Sequence, residues 1–500
     1  MILSKTNLQY IRPGKIEIPN EDILNLPERV LQFGTGSLLR GLPDYFIDQA
    51  NKQGIFNGRI VMVKSTESGD AAAFANQDGL YTLCVRGMEA GQLIEENIIN
   101  ASVSRVLQAS TQWKDILQCA HNPNMNLIIS NTTEVGIQLV DDHIGDQPPS
   151  SFPGKLIAFL YERYKAFNGS EESGTVVVPT ELISNNGKQL KAIIMELCRR
   201  NALGDHFQKW LETCNQFCDS LVDRIVPGRP AHEVKHAIEN ELGYTDELMI
   251  IAESYRLWAI EGDKKVADRL SFAAVDKAVI VAPDINLFRE LKLRLLNGVH
   301  TICCAAAYLS GFDNVVQAMN DKIMCQFIED IMLREIAKAI PYPVPENDAL
   351  DFGGKVLDRF RNPHLHHQWL SISLQYSSKM KLRDIPILLK YYDLYHGAPP
   401  LFAKGFAAYI LFMRVEKEEN GKYFGLRNGK YYALHDDKAA WFSKIWRQSA
   451  PSGLVDQVLR ETELWGHDLS LLQGFPQLVK KELELMMEKG VAETISTGIV

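Results

Sequence analysis

Three polar side chains in the second half of the chain could together catalyse the reduction of a ketone. Lys292, Asn297 and His300 lie in the segment KLRLLNGVH, whose apolar residues recur at helical spacing. At about 100° per residue, Asn297 lies roughly 140° and His300 roughly 80° around a helix from Lys292, so the three share a face. In ketone reduction an ammonium protonates the forming alkoxide, an amide donates to that oxygen and an imidazole orients the substrate. The alternative is an amphipathic helix whose polar residues only meet solvent.

A second pattern, near the start of the chain, could hold the phosphates of a nucleotide. Residues 29–41 read RVLQFGTGSLLRG, an apolar strand that runs into a glycine turn and then into a helix. In a Rossmann unit such a turn brings backbone N–H groups and the start of a helix against a pyrophosphate. Leu39 stands where the third glycine of GxGxxG is expected, and glycine turns of this kind also occur without a nucleotide.

The elements that would position these residues predict two domains. Over residues 1–283, after a polar lead of residues 1–28, strands alternate with helices, which indicates an α/β Rossmann-like domain with a mostly parallel sheet. The predicted strands are Val30–Phe33, Arg59–Lys64, Asn126–Ser130, Gly174–Pro179 and Lys277–Pro283. The predicted helices include Leu38–Asn51, Lys155–Phe167 and Gly187–Asn201.

Over residues 284–500 the periodicity becomes helical, which predicts a mainly α-helical C-terminal domain. Its first predicted helix, 286–309, carries Lys292. The exception is an aromatic-rich stretch around Asn428 and Gly429, where Asn-Gly between two such runs predicts a hairpin.

Composition limits the classes of partner. A chain of 500 residues with 46% hydrophobic and 23% charged residues is typical of a globular protein of two sizeable domains. The net charge of −9 argues against a nucleic-acid surface and against general attraction to acidic membranes. The N-terminus lacks a signal-peptide pattern, and the apolar runs are too short to cross a bilayer. Eight cysteines without a disulfide-framework spacing favour a reducing cytoplasm. Oligomeric state is left open.

The chain resembles the mannitol dehydrogenase family of long-chain polyol and uronate dehydrogenases, and within it the uronate-reducing members. The resemblance runs over nearly the whole length. It rests on QFGTGSLLR at 32–40, QDGLY at 77–81, SNTTEVG at 130–136, ELISNNG at 181–187, LVDRIV at 221–226, the segment 292–300 and RFRNP at 359–363.

The resemblance implies a metal-independent, NAD-linked reduction of a small sugar or sugar acid. Lys292 would be the general acid in reduction and the base in oxidation. Asn297 would donate to the substrate oxygen, and His300 would orient the substrate. A nucleotide-binding sensor without catalysis is the alternative from another class, and the intact lysine, asparagine and histidine argue against it.

Two further residues take catalytic roles by this resemblance. Asn186 matches a second amide at the developing oxyanion, and Asp223 matches an acid that assists proton exchange with solvent. Local sequence leaves other interpretations open, because Asn186 could be a turn residue before Gly187 and Asp223 could pair with Arg224.

The resemblance also implies where the cofactor binds. The predicted cofactor-binding residues are Phe33, Gly34, Gly36, Ser37, Glu67, Ser130, Asn131 and Thr132. Beyond the second strand, Glu67 could accept from the ribose hydroxyls, whereas Lys64 could favour the 2′-phosphate of NADP. The family likeness favours NAD.

Basic residues should bind a substrate carboxylate, which prefers a bidentate arginine. The predicted substrate-binding residues are Arg359, Arg361, His364 and Lys379. The histidines at 364, 366 and 367 line the substrate side or lie on a helix surface. Another segment, His232–His236, matches HExxH with Glu233 as a potential base, but we interpret it as a chance match and predict no metal.

Overall fold

The computed structural model describes residues 1–65, 71–132 and 136–497. The chain divides into two compact units. Unit 1 comprises Met1–Arg86 and Leu93–Ile285, and unit 2 comprises Gly87–Gln92 and Asn286–Val500.

Among the described residues up to 285, the strands form three sheets. Their strands are β1 (Glu28–Phe33), β2 (Arg59–Lys64), β3 (Tyr81–Glu89), β4 (Gln92–Asn100), β5 (Val103–Gln108), β6 (Leu127–Ser130), β7 (Val176–Pro179), β8 (Gln216–Phe217), β9 (Ser220–Asp223), β10 (Ile250–Glu253), β11 (Leu257–Glu261) and β12 (Val279–Ala282). Six of them form a sheet in the order β5-β2-β1-β6-β7-β8, with parallel pairing throughout. This is the 3-2-1-4-5-6 strand order of the Rossmann fold. The predicted α/β class is therefore confirmed.

The strand residues explain this sheet. Ile60–Val63, Leu127–Ile129 and Val176–Val178 are apolar runs with no residue more than 1% exposed, as expected for parallel strands covered on both faces. Two smaller sheets, β10-β3-β4 and β12-β11-β9, were not predicted, apart from the strand now seen as β12. Strand β4 (QLIEENIIN) could not be predicted because it carries many charged and polar residues.

The described part of unit 1 also contains α-helices. They are α1 (Ser37–Gly41), α2 (Pro43–Lys52), α3 (Ala71–Asn76), α4 (Trp113–Gln118), α5 (Phe152–Ala166), α6 (Asn186–Arg200), α7 (Asp205–Cys214), α8 (His232–Leu242) and α9 (Lys264–Arg269). The single helix predicted over Leu38–Asn51 is wrong, since the chain breaks at Leu42, with φ −134° and ψ −78°. The cause is Pro43, which disfavours helical backbone in the residue before it and begins a new helix.

The prediction that residues 1–28 form a polar lead is also wrong. Leu3, Leu8 and Ile16 are buried together with Ile99 and Tyr244 in a small core of their own. The apolar residues of the lead are too widely spaced to show a helical or strand period, so the pattern looks polar.

Unit 2 is mainly helical, as predicted. Its α-helices are α10 (Asn286–Leu291), α11 (Val299–Leu309), α12 (Val315–Asn320), α13 (Lys322–Asp330), α14 (Glu346–Phe360), α15 (Trp369–Ile372), α16 (Tyr376–Lys379), α17 (Ile385–Leu394), α18 (Pro400–Phe412), α19 (Ala439–Gln448), α20 (Pro451–Arg460), α21 (Thr462–Trp465), α22 (Phe475–Lys489) and α23 (Val491–Ser496). Three π-helices interrupt the series: π1 (Lys292–Gly298), π2 (Ile331–Ile336) and π3 (Met380–Asp384). Within the described residues, no helix is both long enough and apolar enough to span a membrane.

Short elements complete the chain. The 3₁₀ helices are Lys5–Tyr10, Glu21–Asn25, Cys119–His121, Glu171–Ser173, Ser271–Ala274, Ala337–Ala339 and Leu469–Leu471. Strands β13 (Lys417–Glu419), β14 (Lys422–Arg427) and β15 (Lys430–Leu434) form an antiparallel sheet. The predicted hairpin is confirmed, because Asn428 and Gly429 form its two-residue loop with φ of 49° and 76°.

The helix that carries His300 is backed by α18. A Cβ atom on Gly405 would lie 2.7 Å from Cγ1 and 2.8 Å from the carbonyl oxygen of Ile302. Only glycine lets α18 approach α11 this closely, and the close contact holds α11 in the core of unit 2.

Candidate active site

The segment that carries Lys292 and Asn297 is helical but is not an α-helix. The chain passes from α10 into π1 at Lys292 and into α11 at Val299. The i→i+5 hydrogen bonds of a π-helix bring residues five apart onto adjacent turns of the same side. The half-buried Lys292 and Asn297 are five apart, so the separation of roughly 140° expected from α-helical geometry is wrong. Single π-helical turns within α-helices are frequent at functional sites.

The imidazole of His300 is held by stacking. Its ring centroid lies 4.2 Å from that of Phe360, with the planes 19° apart, and 5.1 Å from that of His367. Burial, together with the charges of His367, Arg359 and Arg383, lowers the pKa of His300 well below its ordinary value. His300 is therefore neutral at pH 7, with one ring nitrogen as donor and the other as acceptor, and can orient a hydroxyl or carbonyl group.

The main-chain carbonyl of Asn297 accepts hydrogen bonds within unit 2, whereas its side-chain amide is available to bind a substrate. Thr301 Oγ1 donates to the carbonyl oxygen of Asn297 at 2.7 Å, and Arg383 Nη1 donates to Thr301 Oγ1 at 3.1 Å and to the Asn297 carbonyl at 3.4 Å. Across residues 1–65, 71–132 and 136–497, the Asn297 amide group has no hydrogen-bond partner. Its donors are thus available to a substrate oxygen.

Two of the predicted substrate-binding residues lie near His300. Arg359 is buried, and its charge lowers the pKa of both His300 and His367. Lys379 also acts on His367, while its Nζ donates to the carbonyl of Ile372 at 2.8 Å.

The other two predicted substrate-binding residues, Arg361 and His364, have different surroundings. Arg361 forms a salt bridge with Glu329, which neutralises its charge. His364 is exposed, and its backbone N–H donates to Asn362 Oδ1 at 3.0 Å. Their assignment to the substrate stays a prediction. Arg383 was missed, although its sequence context, KLRD, is rich in charge.

In unit 1, the glycine loop has the geometry of a phosphate cradle. Gly34 has φ +127°, and a Cβ atom there would lie 2.9 Å from Leu39 Cδ1 and 3.0 Å from the carbonyl oxygen of Asn131. A Cβ atom on Gly36 would meet nothing within 4 Å, so open space lies beside the start of α1 at Ser37. This arrangement fits a pyrophosphate, which needs close approach to the backbone.

The missing third glycine has a structural explanation. Leu39 is buried, and its side chain lies against Gly34. Gly41 instead gives close helix packing, since a Cβ atom there would lie 2.9 Å from Val226 Cγ2.

The carboxyl ends of β6 and β7 are joined by a glutamate that the sequence analysis missed. Glu181 accepts from Ser130 Oγ at 3.1 Å, from the Thr132 N–H at 2.9 Å and from Thr132 Oγ1 at 3.0 Å. Asn131 donates to the carbonyl and hydroxyl oxygens of Thr180 at 3.1 and 3.0 Å. Burial raises the pKa of Glu181. These bonds fix the loop over the strand ends where Rossmann proteins bind dinucleotides.

The remaining predicted cofactor residues are placed as follows. Phe33 is buried, with its ring centroid 5.0 Å from that of Phe152. Lys64, at the end of β2, is also buried, whereas Glu67 lies outside the described residues.

The side chain of Asn186 anchors a strand end. Its amide donates to the carbonyl oxygens of Pro179, Glu181 and Ser220 at 3.0–3.1 Å, and its oxygen accepts from the N–H groups of Gly187 and Ser220 at 2.9 Å. It is fully buried. These bonds give Asn186 a structural role, and its catalytic role stays a prediction.

Asp223 ends β9, where it is buried opposite Leu257 of β11. The next residue, Arg224, donates to the carbonyl oxygens of Glu253 at 2.8 Å and Gly41 at 2.5 Å, and lies over the Tyr45 ring. The guanidinium of Arg224 thus has structural partners of its own.

The HExxH match lies on α8. The rings of His232 and His236 are 4.5 Å apart, and both residues are accessible to solvent. Over the described part of the chain, no group of three or more His, Cys, Asp or Glu side chains could hold a metal ion. That the match arises by chance stays a prediction.

Comparison with known proteins covers both units. Residues 28–274 match the mannitol dehydrogenase Rossmann domain, and residues 284–487 match the mannitol dehydrogenase C-terminal domain. An altronate oxidoreductase of Halalkalibacterium halodurans is 37% identical over 480 residues, covering 94% of this chain and 93% of its own. An altronate oxidoreductase of Escherichia coli is 36% identical over 479 residues, covering 94% and 96%.

Two solved structures share the fold. A substrate-free D-sorbitol dehydrogenase matches with a TM-score of 0.79 at 20% identity, covering 99% of this chain and 100% of its own. A mannitol 2-dehydrogenase of Pseudomonas fluorescens, in a ternary complex with NAD and D-mannitol, matches with a TM-score of 0.64 at 21% identity, covering 99% of each chain. The family-model matches and the altronate oxidoreductase relatives show a dehydrogenase that acts on CH–OH groups, and the Rossmann domain supports a nicotinamide cofactor. The chain belongs to the mannitol dehydrogenase family.

Proposed function

We propose that this dehydrogenase interconverts D-tagaturonate and D-altronate with NAD in hexuronate breakdown. The observation that carries the proposal is the 36–37% identity, over 94% of the chain, to relatives named altronate oxidoreductase. The basic residues grouped around His300 support a substrate that bears a carboxylate.

The residues of unit 2 would act on the substrate oxygen. When bound, NADH would supply the hydride that the carbonyl carbon accepts. Lys292 gives a proton from its ammonium to the oxygen as negative charge develops there, and takes it back in the reverse direction. The Asn297 amide donates to the same oxygen, and the neutral imidazole of His300 orients the substrate. No step of this proposal requires a metal ion.

Unit 1 would bind the cofactor. The open space beside Gly36 and the fixed loop at Ser130–Thr132 support contacts to the dinucleotide. Burial of Lys64 favours NAD over NADP, because a 2′-phosphate needs an accessible cation. Asp223 would assist proton exchange with solvent, and Asn186 would hold the end of β7 and, by the family likeness, assist at the oxyanion. All eight cysteines are free thiols, which supports a cytoplasmic enzyme.

The test is the oxidation of NADH, followed by absorbance, with purified protein and D-tagaturonate, D-fructuronate or D-fructose, and NADPH in a parallel series. We expect rapid oxidation with D-tagaturonate and NADH. Preference for D-fructuronate or D-fructose would replace the substrate with that of a fructuronate reductase or a mannitol dehydrogenase. NADH binding without turnover of any of the three would favour a catalytically silent sensor.

A further inference from the structure

The position of Arg383 on π3 is fixed by the helix that carries the predicted catalytic residues. Its Nη1 reaches Thr301 Oγ1 and the carbonyl oxygen of Asn297, at 3.1 and 3.4 Å. Thr301 directly follows His300 in the chain, and its own hydroxyl is buried in α11. The guanidinium therefore lies beside the main chain of Asn297, whose side-chain amide would contact the substrate oxygen.

The surroundings of Arg383 are positively charged. Arg383 and Arg359 both lower the pKa of His300, and Arg383 lowers the pKa of Lys379, after burial as the largest cause in each case. The neighbouring carboxyl group of Asp384 is fully buried, and burial raises its pKa well above the ordinary value. Burial therefore favours the neutral form of Asp384 over the carboxylate.

Two other arginines of this region already have acidic partners. Arg294 pairs with Glu290 at 2.9 Å, and Arg361 pairs with Glu329. Among the described residues, no carboxylate lies within salt-bridge distance of Arg383. Arg383 is only partly buried, so the rest of its planar fork can meet a ligand.

We propose that Arg383 binds the carboxylate of the sugar-acid substrate and so selects uronates over neutral ketoses. The inference rests on the proposed function and names the residue behind its substrate class. A guanidinium pairs with a carboxylate through two parallel hydrogen bonds, which fixes orientation as well as charge. Arg383 and Thr301 are hydrogen-bonded to each other and to the carbonyl oxygen of Asn297. A carboxylate bound by Arg383 would therefore fix how far the substrate ketone lies from the Asn297 amide.

The experiment compares two substrates that differ in this one group. D-Tagatose has a hydroxymethyl group where D-tagaturonate has a carboxylate. For Arg383→Met we expect kcat/KM with D-tagaturonate to fall roughly 100-fold, because a charge pair shielded from solvent is lost. With D-tagatose we expect a much smaller loss, which reflects only the hydrogen bonds to Thr301 and Asn297. Arg383→Lys should recover part of the loss with D-tagaturonate, since it keeps the charge but not the fork.

Arg334→Met is the matched control. Arg334 is an exposed arginine of π2 that pairs with Asp330, so its removal should leave the ratio of the two kcat/KM values unchanged. Calorimetric titration of the NADH-loaded enzyme with D-altronate and with the neutral D-altritol gives a readout besides turnover.

The kinetic and calorimetric experiments have three distinguishable outcomes. Selective loss of D-tagaturonate turnover and of D-altronate binding in Arg383→Met supports the inference. An equal loss with charged and neutral ligands would overturn it, since Arg383 would then only support π1. Wild-type enzyme that neither reduces D-tagaturonate nor binds D-altronate would overturn the proposed function itself, and the inference with it.

Discussion

Arg294 of π1 donates to the main-chain carbonyl oxygen of Arg383 in π3, at 2.7 Å. A second bond from the same Nη1 reaches the carbonyl of Leu382 at 2.8 Å, while Nε donates to Glu290 at 2.9 Å. Arg294 is buried, so these bonds are shielded from solvent. One side chain thus connects the helix that begins at Lys292 with the helix that carries Arg383.

Removing this connection should loosen both helices. For Arg294→Met we expect the free energy of unfolding to fall by about 3 kcal/mol, because two buried carbonyl groups lose a charged donor. kcat should also fall, since Lys292 and Asn297 are on the helix that is released. Urea unfolding and steady-state kinetics measure the two effects.

Glu290→Gln is the control for Arg294→Met, because it removes only the ion pair and leaves both carbonyl contacts. It should reduce the free energy of unfolding by less than about 1 kcal/mol. Equal effects of the two substitutions would show that the carbonyl contacts contribute nothing.

The glycine loop allows a test by paired substitutions. Gly34→Ala forces a side chain onto φ +127° and against Leu39 and Asn131, so the NADH dissociation constant should rise about tenfold or more, with some loss of stability. Gly36→Ala meets no protein atom, so it should fold like wild type within about 0.5 kcal/mol and still bind NADH more weakly. Fluorescence titration with NADH measures both.

Gly354→Ala controls for the added methyl group, since Gly354 is exposed on α14 with nothing within 4 Å of a Cβ atom. It should leave NADH affinity unchanged. Wild-type NADH affinity in Gly36→Ala would refute the placement of the pyrophosphate beside this residue.

Asn186→Ala separates anchoring from catalysis. The amide contacts three carbonyl oxygens and two N–H groups of the buried strand end, so its loss should cost about 3 kcal/mol of stability. The catalytic prediction requires in addition that kcat falls about 100-fold at temperatures where the variant remains folded. The neighbouring Asn185→Gly, exposed and at φ 54°, should change neither quantity. A kcat near that of wild type would leave Asn186 with the anchoring role alone.

The buried carboxyl group of Asp44 should make stability depend on pH. Burial raises its pKa to about 8, against the opposing effects of hydrogen bonds from Gln32 and Tyr81 and of the charge of Arg40. Above about pH 4 the unfolded chain releases this proton while the folded protein keeps it, so stability falls as the pH rises towards 8. The slope from this one group is at most about 1.4 kcal/mol per pH unit.

Asp44→Asn should therefore flatten the decline between pH 5 and pH 8 in urea unfolding. The exposed Asp141→Asn serves as its control and should keep the wild-type slope. Identical slopes in wild type and Asp44→Asn would show that Asp44 is ionised in the folded state.

Much of this fold follows from local patterns. The β-branched runs of β2 and β7 predict buried parallel strands, and Asn428-Gly429 predicts a two-residue turn, because each depends on a few neighbouring residues. Pro43 also indicates the break at Leu42, but the helical periodicity of the surrounding residues favoured one continuous helix.

What could not be predicted depends on contacts distant in sequence. The same leucines suit an α-helix or a π-helix, and the bonds of Arg294 to residues 382 and 383 only exist once unit 2 has folded. Glu181 and Arg383 were missed for the same reason, since each becomes part of a site through partners 49 to 86 residues away. Lys292, Asn297 and His300 could be singled out because their spacing within one helix is local.

The role of Lys292 as general acid is tested by following NADH oxidation with D-tagaturonate in wild type, Lys292→Ala and Lys355→Ala. Lys355 is an exposed lysine of α14. We expect rapid oxidation by wild type and Lys355→Ala. For Lys292→Ala we expect kcat to fall about a thousandfold with NADH binding unchanged, because only the general acid is removed. Full turnover by Lys292→Ala would contradict the proposed mechanism.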